Sequence, residues 1–211
     1  MQTDHSHLDD LKDIKNIMQQ SSRFISLSGW SGIAAGCCAL FGAWYASTQI
    51  ECWKKGDCQF VLLAAEGRIN LNSSILKIAI ITFAAAFLFA FIFTYLRSKK
   101  TGAPLWNFTA RRLMFNVAIP MLVGGLFIYK MLDYGYYNLV LPACLVFYGL
   151  SLVNASKYTL GEVRYLGYGQ LILGILSCWV TGYALFFWAA GFGVLHIIYG
   201  IIMWNKYERD K

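Results

Sequence analysis

Between Tyr165 and Trp204 the chain runs for 40 residues without a formal charge. Wound as one helix, this stretch would be about 60 Å long, twice the thickness of the hydrocarbon core of a bilayer. It therefore has to fold back on itself. The reversal is expected near Ala184 to Ala190, with Trp188 at the membrane interface, where tryptophan is enriched. Composition agrees with a membrane location. Hydrophobic residues make up 58% of the 211 positions, charged residues only 14%, and mean hydropathy is +0.51. A soluble domain carries about 25% charge. The balance here cannot be arranged around one water-soluble core, and it defines an all-α polytopic membrane protein.

Four more apolar runs are long enough to span: Ile25 to Ala46, Ser74 to Leu96, Leu113 to Leu132 and Gly135 to Val153. The first follows a mixed-charge segment and is too long for a signal-peptide core, so it is read as a retained span. With the folded-back stretch the total is six. The division is then a cytoplasmic segment over 1–24, a six-helix membrane domain over 25–204, and a cytoplasmic tail over 205–211. The cations test this count. Six spans place 13 lysines and arginines on the side of the two termini and 4 on the other, with Lys77 inside a span. Cytoplasmic loops carry such an excess, so both termini are expected inside. The formal charge of +7 is accounted for by these loops and anionic lipid, not by nucleic acid.

The loop Ser47 to Ser73 is then exoplasmic, and it holds Cys52 and Cys58. A structural disulfide between them would add roughly 2 kcal/mol by closing a small ring. Free thiols are the other reading. A metal site lacks nearby histidines and a second cysteine pair. The C-x5-C spacing also differs from the redox C-x-x-C motif. In the same loop, Phe60 to Ile69 is too short to cross and suits a brief interfacial helix.

Several segments have the makings of a binding surface. Leu8, Leu11, Ile14, Ile17 and Met18 recur at spacings of three and four, which predicts an amphipathic helix lying on the cytoplasmic interface or docked on a partner. Ser28, Gly32 and Gly36 repeat every four residues and form a smooth stripe for close helix packing, within the bundle or between two copies. The second loop carries Arg97, Lys99, Lys100, Arg111 and Arg112 around Trp106 with no acid, a surface for anionic phospholipid head groups or an acidic partner. Polar and helix-breaking residues inside the spans outline an intramembrane pocket: Asn116, Pro120, Pro142, Tyr168, Gln170 and His196. A neutral histidine there can equally serve as a hydrogen-bonded tie between helices.

No acidic residue lies deep in a span, which disfavours proton- or sodium-coupled transport. No H-E-x-x-H, phosphate loop, nucleotide fingerprint or nucleophile elbow is present, and no cofactor is expected. The sequence SSRFISLSGWSGI after its amphipathic lead, and the closing GFGVLHIIYGIIMWNKYERDK, resemble small uncharacterised bacterial six-span inner-membrane proteins. The resemblance implies a bacterial inner-membrane location and carries no activity with it. The expectation is a non-catalytic membrane component that binds a protein partner or lipid, or associates with itself. The alternative is a transporter or sensor of a small apolar or aromatic solute held near the midplane.

Overall fold

The computed structural model describes residues 28–55, 71–102, 106–180 and 182–209. The expected amphipathic helix over Leu8 to Met18, the segment Phe60 to Ile69 and Cys58 lie outside these residues. The described chain is all-α. Six helices follow one another: α1 (Gly29–Lys55), α2 (Leu71–Thr101), α3 (Phe108–Asp133), α4 (Tyr137–Ala155), α5 (Glu162–Trp179) and α6 (Ala184–Tyr207). All but α5 are long and apolar enough to cross a membrane. Within α6 the segment Ala189–Leu195 is wound as a π-helix between two α-helical parts.

Two boundaries differ from the sequence reading. First, α1 does not stop at Ala46 but continues through STQIECWKK to Lys55. The apolar run ends before the helix does, because polar residues can extend a helix beyond the lipid. Cys52 therefore sits in the last helical turn with a free thiol, and its expected partner, Cys58, lies outside the described residues. Second, the reversal between α5 and α6 falls at residues 180–183, ahead of the expected Ala184 to Ala190. Gly182 has φ +89°, a backbone state that costs glycine nothing and other residues dearly. Alanine favours the helix, so Ala184, Ala189 and Ala190 continue it, and Trp188 lies within α6. Gly135, φ +78°, makes the turn between α3 and α4 in the same way.

The helices form an open row. α2 leans on α1, α1 on α6, α6 on α4 and α5, α5 on α4, and α3 on α4. α2 and α3 are consecutive in sequence yet do not pack along each other. Small residues set the closest contacts. A Cβ on Gly29 would fall 2.5 Å from the carbonyl oxygen of Gly200, and one on Gly200 2.6 Å from that of Gly29. Gly32 faces the Gly200 backbone, and Gly36 faces the Gly193 carbonyl at 2.7 Å on the same measure. The Ser28, Gly32, Gly36 stripe thus packs inside the molecule, against α6. Leu145 of α4 and Met203 of α6 are fully buried.

Candidate functional site

The six residues proposed as an intramembrane pocket divide into separate places. Gln170 of α5 and His196 of α6 do come together. Both are buried, and both point at the carbonyl oxygen of Gly191 in the π-helical segment. Gln170 Nε2 donates to it at 2.8 Å, and His196 Nδ1 lies 3.0 Å from it. A carbonyl can only accept, so Nδ1 carries the proton and Nε2 of the neutral ring is left as an acceptor. Tyr148 of α4 supplies the donor, with its Oη 2.9 Å from Nε2. Four groups from three helices are tied through one backbone oxygen and one imidazole ring.

The surroundings fix this arrangement. The rings of Trp188, Phe192 and His196 succeed one another along α6, with centroids 5.0 Å and 5.9 Å apart. Tyr148 lies against both Phe192 and His196. Gly191 has to be glycine, since a Cβ there would meet Gln170 Oε1 and Leu145 Cδ2, each at 2.5 Å. Tyr148 carried no signal of its own in the sequence. It is one of 13 tyrosines, and only the alignment of α4 beside the π-helical segment singles it out. The π-helix itself is marked at most by the glycine pair Gly191 and Gly193.

Pro120 and Asn116 act elsewhere, at the seam of α3 and α4. A proline at position 120 has no N–H to donate to the carbonyl four residues back, which is that of Asn116. Asn154 Nδ2 of α4 takes its place, donating to Asn116 O at 2.9 Å and lying 3.1 Å from Asn116 Oδ1. Asn116 Nδ2 in turn donates to Arg112 O at 2.8 Å. Pro142 is buried in α4, near the Leu145 packing layer. Tyr168 faces outward.

The third region is the end of the molecule where α1, α3 and α5 begin and α2, α4 and α6 finish. Glu208, just beyond α6, folds back on the start of α1. Its Oε1 accepts from Gly29 N at 2.5 Å and from Arg97 Nη1 at 2.5 Å, and its Oε2 from Ser28 Oγ at 3.4 Å. The carboxylate caps the positive end of α1 and binds Arg97 near the end of α2. The expected tail over 205–211 is therefore partly helix, through Tyr207, and partly this clasp. Beside it Glu162, the first residue of α5, accepts from Lys206 Nζ and from Tyr207 Oη, the latter at 3.0 Å. Burial pushes the Glu162 carboxyl up, but hydrogen bonds from Lys206, from its own backbone N–H and from Tyr207, with the Lys206 charge, outweigh it and hold the group below the usual carboxylate range.

The basic loop is split by the same clasp. Arg97 is largely buried against Glu208, whereas Lys99, Lys100, Arg111 and Arg112 are exposed. Lys99 Nζ sits 5.1 Å from the Tyr95 ring centre, and the Arg112 guanidinium 4.2 Å from that of Phe108. Trp106 and Phe108 are each 66% exposed.

No family model, curated protein or solved structure matches this chain significantly.

Proposed function

We propose that this chain is a six-span, non-catalytic component of a bacterial inner membrane, with both termini in the cytoplasm, which binds a protein partner or anionic lipid at its cytoplasmic end. The observation that carries the reading is how the interior polar groups are used. Tyr148, Gln170 and His196 bond to one another or to Gly191, and Asn116 bonds to Asn154. Groups spent on each other hold helices together and offer a solute little, whereas the exposed cations and aromatics of the second loop are available to a ligand. Two further features support the topology. The Glu208 to Gly29 bond brings the start of α1 and the end of α6 to the same end of the molecule, as an even number of crossings requires. α5, with 18 residues, reaches about 27 Å, close to the roughly 30 Å of the hydrocarbon core, and serves as the sixth crossing.

Purification of the full chain in mild detergent, with identification of the lipids and proteins that co-elute, tests this. Retained anionic lipid or a stoichiometric protein is the expected result. The rival reading, a midplane solute site, draws on buried oxygens without a protein partner, Gln170 Oε1 and Tyr199 Oη among them. A small apolar or aromatic molecule that co-elutes with the wild type and is lost in His196→Ala would select the rival.

A further inference from the structure

We propose that the exposed cations where α2 ends and α3 begins, Lys99, Lys100, Arg111 and Arg112, form a seat for the phosphate of an anionic phospholipid drawn from the surrounding bilayer. The proposal rests on the reading above, which puts this end in the cytoplasmic leaflet, and it names the ligand and the residues that hold it.

Charge is the first argument. No acid occurs between Leu71 and Leu132. Two described acids lie at this end, and both are occupied: Glu208 by Arg97, Ser28 and Gly29, and Glu162 by Lys206 and Tyr207. The opposite end is mixed. Lys130 is paired there with Asp133 at 2.8 Å, and Lys54 and Lys55 follow Glu51. The two ends of the molecule thus differ: this one gathers four exposed cations in a stretch with no acid, whereas at the other Lys130 is paired and Lys54 and Lys55 have Glu51 close by in sequence.

The second argument is the setting of these cations. Lys99 and Arg112 lie over the rings of Tyr95 and Phe108, which keeps their stems on apolar surface and their charged heads at the level of lipid phosphates. Trp106 and Phe108 project from the same connection and mark the depth of the interface. The third is that neither helix covers the other: α2 leans on α1 and α3 on α4. Both offer large apolar side chains for acyl chains below the phosphate, Phe87 and Phe91 on α2 and Phe115 and Leu122 on α3. The first turn of α3 adds little to anion binding, since Asn107 Oδ1 already takes the Ala110 N–H at 2.6 Å. The seat is made by side-chain charge, and Arg97 is outside it because Glu208 holds it.

The test uses the full chain in nanodiscs of phosphatidylcholine containing a fixed share of phosphatidylglycerol, with retained lipids counted by native mass spectrometry. The wild type is expected to keep phosphatidylglycerol in preference to phosphatidylcholine. K99Q/K100Q/R111Q/R112Q should lose that preference by at least about tenfold, K99R/K100R should keep it, and K54Q/K55Q at the other end should leave it unchanged. An equal loss in K54Q/K55Q would overturn the proposal, as would displacement of the lipid by millimolar inorganic phosphate, which would assign the seat to a free anion. It would also be overturned if the wild type showed no preference and deletion of residues 2–20 created one, for then Asp9, Asp10 and Asp13 of the chain itself would be the occupant. Labelling of Lys100→Cys in intact cells separates the two levels. Reagent entering from outside would sink the cytoplasmic reading. Protection from outside, with unchanged lipid retention in the quadruple variant of the same orientation, would sink the seat alone.

Discussion

α1 and α6 meet backbone to backbone, whereas α2 and α3 bury almost nothing. Only 6% of the apolar window of α2, and of α3, lies inside the molecule, against 28% for α1. The difference follows residue size. Glycines at 29, 32 and 36 face glycines at 193 and 200, while α2 contains no glycine and exposes Phe83, Phe87, Phe89 and Phe91. In lipid a phenylalanine gains little by leaving acyl chains for another helix, so large apolar residues do not by themselves drive association. Close van der Waals contact between backbones does, and only small residues permit it. The molecule therefore has a cohesive group, α1 with α4, α5 and α6, and two flanking helices whose surfaces are left to the surroundings.

The sharpest way to break this contrast is a single branched side chain. Gly200→Val places branched carbons where the Gly29 carbonyl stands, and should cost about 3 kcal/mol. Phe87→Ala on α2 removes far more volume and should shift stability by under about 0.5 kcal/mol. Thermal unfolding in one detergent, followed by tryptophan fluorescence, compares them directly. Equal shifts would mean that the glycine seam is not what holds the group together.

A smaller effect is expected from the polar tie within the same group. His196→Ala leaves the Tyr148 hydroxyl without its acceptor and opens a space among Phe192, Gln170 and Tyr148, for a loss of about 2 kcal/mol. Tyr148→Phe keeps the ring and removes one hydrogen bond, for about 0.6 kcal/mol. The same melting experiment checks both, and a His196→Ala protein as stable as the wild type would show that glycine packing alone suffices.

The smallest effect is set by pH. Because the Glu162 carboxyl is held below its ordinary range, folding favours its charged form. The contribution is complete above the ordinary carboxylate value and fades as pH falls through the lowered one. Acidification across that window should lower the wild-type melting point by about 1 °C more than that of Glu162→Gln, since an exposed cluster is weakly coupled to stability. A larger fall in the variant would reverse the assignment.

Hydropathy made the helical class legible at once, because a 40-residue uncharged run admits few structures. Helix ends were less so. α1 outlasts its apolar run by nine residues, and the α5–α6 turn follows the conformational needs of Val180 and Gly182, which a hydropathy profile does not weigh. The Ser28, Gly32, Gly36 stripe could be read, as it depends on local spacing, but its partners at 193 and 200 could not, since they are distant in sequence. Pro120 gave notice of a freed carbonyl, and His196 of a buried polar contact. What stayed hidden was the carbonyl of Gly191, whose availability depends on a π-helical segment, and Tyr148, whose role exists only after α4 has docked.

The pairing of Gly29 with Gly200 also sets an order of assembly. The two partners stand 171 residues apart, and the Glu208 that caps α1 comes later still, just beyond α6. α1 is therefore made long before its partner, and its glycine face stays uncovered until α6 arrives. Any shortened product that ends before α6 remains permanently unfinished at its own beginning.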